Sequence, residues 1–149
     1  MRRGGGALIL AVLLAVLLCA CVGPVRSFEV YEGKAATTAE SVASAAQTAR
    51  LAAGEAADAR AFAPYLSIVL SEVERDAGGS EDVFGAIQPP DGRSAELRTQ
   101  LLALIDRVTA VLADLRIAAR NGELGRLEDI AAPLGELGEQ LARFVEAHA

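Results

Sequence analysis

The sequence predicts an all-α fold, an up-down-up-down four-helix bundle that follows a cleaved signal peptide. Three observations carry this reading. Ala, Leu, Glu and Arg dominate the chain, and all four are strong helix formers. Four stretches repeat apolar residues at alternating spacings of three and four, the signature of a helix with one buried stripe. No stretch shows the alternation of β-branched and polar residues that a strand needs.

The first helix is expected over residues 28 to about 58. Ser27 can cap it, and Glu29 and Glu32 sit near the positive end of its dipole. Its seam is Ala35, Ala39, Val42, Ala46, Ala49, Ala53 and Ala56. An Ala seam lets neighbours approach closely but buries little area per contact. Thr37, Thr38, Ser41, Ser44 and Thr48 are small as well, so this helix is slim on several faces. It reads as a thin helix among fatter ones, or as one with a face open to a partner.

Asp58 to Ala63 is the first connection, and Pro64 suits the first turn of the next helix. A helix kinked at Pro64 is the alternative, and would give a three-helix bundle with a long first element. Gly78-Gly79 invites a break in the second helix. Yet Leu66, Leu70, Val73, Ala77, Ser80, Phe84 and Ile87 hold their phase straight across it. A loop has no reason to preserve phase, so one helix is expected from Pro64 to about Ile87. The glycines weaken it by about 1 kcal/mol each. Ser80 capping a separate short helix is the other possibility. Pro89-Pro90-Asp91-Gly92 then turns the chain.

The third helix is expected to open at Ser94, with Leu97, Leu101, Leu104, Val108, Val111, Leu115 and Ala118 as its seam. Ile105 and Leu112 widen that seam to a core face. Asn121-Gly122 closes it, because both residues tolerate the left-handed backbone of a helix C-terminus. The fourth helix runs from about Glu123 to Ala147 on Leu127, Ile130, Leu134, Leu137, Leu141 and Phe144. Pro133 lies inside this pattern and should kink it near residues 129–133. The short turns require each helix to return antiparallel to the one before. The heptads could also support self-association, although a monomeric bundle already uses them.

Ahead of the bundle, Arg2 and Arg3 form a short positive region, and Gly4-Gly5-Gly6 a spacer. Ala7 to Leu18 is then an uncharged apolar run of 12 residues. That suits a secretory signal and falls short of the roughly 20 residues a membrane-spanning helix needs. The run ends in Leu18-Cys19-Ala20-Cys21. This stretch resembles the bacterial lipobox, with Leu at −3, a small residue at −2, Ala at −1 and Cys at +1. Cys19 at −2 departs from the commoner Ala or Ser but has a suitable size. The resemblance implies a diacylglyceryl group on the Cys21 thiol and peptidase cleavage between Ala20 and Cys21. An ordinary signal cut fits less well, because Leu18 spoils a cut after Ala20 and Pro24 spoils one after Gly23. An uncleaved anchor would be short.

The resulting division is a signal peptide over 1–20, a lipidated tether over 21–27 and a helical bundle over 28–149. One acyl chain binds a membrane only reversibly, at ~0.8 kcal/mol per methylene, whereas two hold stably. A diacylglyceryl group supplies both. The expected location is the extracytoplasmic face of the cell membrane, with the lipid as anchor.

The chain after the signal has 129 residues, enough for one domain with a modest core. It carries 12 basic against 20 acidic residues, a net charge of −8. An acidic exterior argues against nucleic acid as a partner, and against electrostatic adhesion to anionic lipid. With Cys19 removed and Cys21 acylated, no thiol remains for a disulfide, metal or redox centre.

Nothing in the chain forms a recognisable catalytic or cofactor site, and the reading is non-enzymatic. His148 is the lone histidine, one residue from the C-terminus, where side chains are normally solvated. That removes His-based triads and the Glu-x-x-His pairs of di-iron bundles. Lys34, the sole lysine, reads as a surface charge. Asp106 and Asp114 fall off the seam of the third helix, and Glu128, Asp129, Glu136 and Glu139 off that of the fourth. Glu81-Asp82 lacks the alternating oxygen ligands of a calcium loop. Glu139 and Arg143 are placed to pair at i,i+4.

Phe84, Ile87, Pro89 and Pro90 set two large apolar side chains beside a rigid turn. They either close one end of the core or form a rim where a partner docks. In the second case Phe84→Ala would weaken partner capture and leave the melting temperature nearly unchanged. The signal, the Ala-rich first helix and the Gln-Pro-Pro turn together resemble the small helical lipoproteins of high-GC Gram-positive bacteria, a resemblance that implies no particular activity. The expected role is contact with another envelope protein. The alternative is a carrier holding an apolar, lipid-like ligand between the thin first helix and the Leu-rich third and fourth.

Overall fold

The computed structural model describes residues 25–57 and 62–149. The signal segment, the lipobox with Ala20 and Cys21, and most of the first connection lie outside the described residues. Within them the chain is all helical: α1 spans Phe28–Ala57, α2 Ala63–Gly85 and α3 Gly92–Arg120. A 3-10 turn at Leu124–Arg126 leads into α4, Leu127–Ala131, and then α5, Pro133–His148. α4 and α5 together are the fourth helix of the bundle, interrupted at Ala132 ahead of Pro133. Proline cannot donate to the preceding turn and clashes with it, so the break falls where its ring begins the next helix.

α1 and α2 pack side by side as separate helices, so the three-helix alternative is excluded. Ser41 on α1 meets Ser80 on α2 at 3.0 Å, a contact that sets their relative register. α2 passes through Gly78-Gly79 without interruption. Ser80 caps nothing there: its hydroxyl donates to the Asp76 carbonyl one turn earlier.

The slim first helix organises the packing. Ala35, Ala39, Val42, Ala46, Ala49, Ala53 and Ala56 are all buried, and Tyr31 and Ala36 join them. Because the seam is mostly methyl groups, α1 settles against α3 across the bundle as well as against both lateral neighbours. α2 and α5 are held apart on either side and make no substantial contact. The large side chains come from the other helices, chiefly Leu66, Leu70, Leu101, Ile105, Leu112, Leu115, Leu134 and Leu141. Each such side chain contributes about 1.5–3 kcal/mol on full burial.

Two details correct the sequence reading. In α3, Ile105 and Leu112 sit at the centre of the core while Leu104 and Val111 flank it. The helix is turned so that its widest residues meet the Ala face of α1. Its N-cap is Asp91, not Ser94: the Asp91 carboxylate accepts from the Ser94 backbone N–H at 2.7 Å, and the helix begins at Gly92. A carboxylate satisfies a free N–H and also favours the positive end of the dipole.

Ser27 does cap α1, accepting from the Val30 N–H at 3.4 Å. At the far end of α3 the Gly122 N–H donates to the Ala119 carbonyl and the Glu123 N–H to that of Ala118. With Gly122 at φ 75°, this is a Schellman ending.

Candidate functional site

Of the two readings of Phe84, Ile87, Pro89 and Pro90, the structure shows the one in which Phe84 closes an end of the core. Phe84 is completely buried and packs against the Tyr31 ring, with centroids 5.3 Å apart. Ile87 and Pro89 are half-buried, and only Pro90 is exposed. Phe84 is therefore a core residue, drawn inward because the end of the bundle needs two aromatic rings to fill it. Arg98 completes this end by donating to the Gly85 carbonyl, where the last free carbonyls of α2 need a partner. Two buried hydroxyls lie near this end, those of Tyr31 and Ser94, and neither has a partner among the described residues. Burial pushes the Tyr31 phenol above its ordinary range, against an opposing pull from Arg98.

His148 also departs from expectation. Its Nδ1 lies 2.9 Å from Glu32 Oε1, and its ring packs at a tilt against that of Phe144, with centroids 4.6 Å apart. The last turn of α5 is thereby tied to the first turns of α1, and the imidazole is mostly covered rather than solvated. Close by, the Arg93 guanidinium lies over the Phe28 ring at 3.6 Å.

The carboxylates form no centre for chemistry. Asp106, Asp114, Glu128, Asp129, Glu136 and Glu139 are exposed, and Glu139 pairs with Arg143 at 3.7 Å. Glu81 on α2 faces Asp106 on α3. Partial burial raises the Glu81 pKa, and the hydrogen bond and charge of Asp106 raise it further, as does the charge of Asp82. Two helical turns away, Arg116 and Glu74 bridge the same two helices. Among the described residues no group of three or more His, Cys, Asp or Glu could hold a metal ion. No described helix is long and apolar enough to cross a membrane.

What the bundle presents outward is a groove of about 990 Å³ between α1 and α2. Gly33, Thr37, Thr38 and Ser41 from α1, with Gly79 and Ser80 from α2, line it. Val30 and Val83 stand on its walls at 53% and 70% exposure, with Ile87 at the end where α1 begins. Lys34, Arg75 and Asp76 bring charges of both signs to the lining, and among the described residues neither cation forms an ion pair. A second, smaller groove of about 620 Å³ separates α1 from α5, and Arg50 lies against Gly135 beside it.

Sequence reasoning found the small residues of α1 but not the groove they build with α2. The signal was present in part: the α1 seam continues backward at the same spacing through Tyr31 and Phe28, which places Val30 and Gly33 on the opposite face. Comparison of the chain with protein-family models, with curated proteins and with solved structures returns no match.

Proposed function

We propose that this chain is a lipid-anchored envelope protein, non-catalytic, that acts through protein contacts on the extracytoplasmic face of the cell membrane. Cys21 carries the diacylglyceryl group, after cleavage between Ala20 and Cys21. The observation that carries the reading is the order Leu18-Cys19-Ala20-Cys21 behind an uncharged run too short to span a bilayer. The fold is consistent with it. α1 begins at Phe28, so a tether of Val22 to Ser27, about 20 Å at full stretch, would hold the bundle close to the lipid.

Contact with a protein is favoured over carriage of an apolar ligand by where the open space lies. The carrier reading needs room between α1 and the Leu-rich α3 and α5. The residues facing one another there, Ala39, Val42, Ile105 and Leu141, are fully buried. The larger grooves open outward, flanking α1 on its α2 and α5 sides.

The test is metabolic labelling with an alkyne analogue of palmitate, comparing wild type with Cys21→Ser. Labelled, membrane-bound wild type and unlabelled, released variant are the expected result. Equal absence of label, with the wild-type protein free in the medium, would falsify the proposal.

A further inference from the structure

The exposed apolar side chains are gathered on one side of the bundle. Among the described residues seven large hydrophobics are exposed, and all but Ile117 stand on the α1–α2 side. Val30 and Val83 line the groove there directly. Leu51 follows Gly33, another lining residue, by 18 positions, and Tyr65 precedes Val83 by 18. Eighteen residues make five whole turns, so both return to the groove side. Ile68 lies 11 residues, about three turns, before Gly79. Phe62 is the N-cap of the helix that carries Tyr65.

These side chains form two clusters. Val30 and Val83 lie where α1 begins, and Leu51, Phe62, Tyr65 and Ile68 lie where it ends. The Ser41–Ser80 contact sets Tyr65 level with Ala56, so the clusters are about 40 Å apart along the bundle. Phe62 and Tyr65 are the most exposed aromatic rings among the described residues. A tyrosine suits a membrane–water interface, where its ring finds apolar surroundings and its hydroxyl stays wet.

The attachment of the chain decides what covers this face. The proposed anchor, Cys21, is nine residues from Val30, and α1 is the helix that the tether enters. So short a tether keeps the bilayer at an effective concentration that a freely diffusing protein does not reach. In an upright pose only the near cluster would touch lipid. The far cluster stands at about twice the stretch of the tether, and reaches lipid only if the bundle lies along the surface. Charge does not supply the attraction. Lys34 and Arg75 stand on this side against Asp76, with Glu55 and Glu72 at whole turns from Thr37 and Gly79. Contact through apolar area alone is indifferent to lipid charge, in keeping with an acidic exterior.

We infer that the bundle lies on its α1–α2 side against the phospholipid surface that anchors it, with both apolar clusters in the headgroup layer. This rests on the proposed anchor at Cys21 and adds an orientation to it. The outer sides of α3 and α5 face away from the membrane, where an envelope partner can reach them.

The experiment uses the protein purified from membranes and reconstituted into phosphatidylcholine vesicles with a nitroxide on the lipid headgroup. With Cys21 acylated, one introduced cysteine carries a fluorescent dye. Glu72→Cys places it two turns from Tyr65, and Ala110→Cys on the exposed side of α3. The dye at position 72 should lose about half its emission to the nitroxide, and the dye at position 110 almost none. Tyr65→Gln/Ile68→Gln should restore the emission at position 72. The same change should leave flotation with the vesicles and the melting temperature unaltered, because both side chains are exposed and Gln is a good helix former. High salt, or phosphatidylglycerol in place of phosphatidylcholine, should leave the quenching as it was.

Equal quenching at positions 72 and 110, or quenching at 72 that survives Tyr65→Gln/Ile68→Gln, overturns the inference. So does quenching that high salt removes, since charge would then hold the face. A second copy on this face would appear as a dimer of the Cys21→Ser protein on sedimentation, broken by Tyr65→Gln/Ile68→Gln, and that too overturns it. A protein that floats with the vesicles but is unquenched at position 72 sinks the orientation and leaves the anchor standing. One that fails to float sinks both.

Discussion

The rings of Tyr31 and Phe84 lie 5.3 Å apart, centroid to centroid, and close the end of the bundle where α1 begins and α2 ends. Neither side chain exposes any surface. Phe84→Ala should therefore cost about 3–5 kcal/mol, a cavity-forming loss in a well-packed core. In thermal denaturation followed by circular dichroism this is a drop on the order of 10–20 °C. A melting temperature within a degree or two of wild type would return Phe84 to the surface.

The glycines of the helix ends and interiors should respond in opposite directions. Gly122 adopts φ 75°, so Gly122→Ala places a side chain in the left-handed region and should destabilise by about 1 kcal/mol. Gly79→Ala should instead stabilise by about 0.4–1 kcal/mol, because a methyl there meets nothing and the unfolded chain loses freedom. Urea denaturation midpoints at constant slope measure both.

Glu81 should make the fold less stable as pH rises from acid toward neutral. Its folded-state pKa is raised by burial and by Asp106 and Asp82. Above the ordinary value of 4.5 the folded state therefore holds a proton that the unfolded chain has released. Stability falls through that interval as pH climbs. Glu81→Gln removes the charge and should flatten the curve, leaving the variant the more stable at pH 7. Denaturation at a series of pH values between 4 and 8 decides it, and a curve unchanged by the substitution would contradict the assignment.

Asp91 has the opposite sign. Its pKa is lowered by the hydrogen bond from Ser94, with Arg93 assisting. Its contribution is thus complete above the ordinary value of 3.8 and is lost as pH falls through the lower folded value. Asp91→Ala should lower the melting temperature at pH 7. Asp91→Asn, which still accepts from an N–H, should retain most of it and lose this part of the acid sensitivity.

His148→Ala should loosen the end of α5 without unfolding the bundle. It removes the contact to Glu32 and the tilted ring contact with Phe144, a loss of about 1 kcal/mol. Hydrogen exchange should accelerate at the amides of Phe144 to His148, while those around Leu101 and Leu112 keep their protection. Unchanged exchange at the last turn would mean that the pair does not hold it.

Much of this architecture could be read from one dimension. The Ala seam of α1, the phase that runs through Gly78-Gly79, the break ahead of Pro133 and the stop at Asn121-Gly122 all appear in the structure. Each depends on residues within a few turns of one another, where periodicity and backbone preference act directly. The candidate site was far less legible. The seam position of Phe84 pointed toward the core but left a rim open, because it says which side of the helix a residue occupies and not what waits there. His148 looked free because its partner, Glu32, belongs to the opposite end of the chain.

Where each helix starts, stops and hides its apolar side was settled by local chemistry: side-chain size, spacing, capping and the two backbone extremes of proline and glycine. Tertiary packing alone decided three further things. Slim α1 bridges to α3 and keeps α2 and α5 apart. Ile105 and Leu112, rather than Leu104 and Val111, reach the centre of the core. A groove lined by Lys34, Arg75 and Asp76 remains open along α1 and α2. These outcomes depend on the rotation and register of each helix against its neighbours, and those follow from how unequal side chains fill a shared volume.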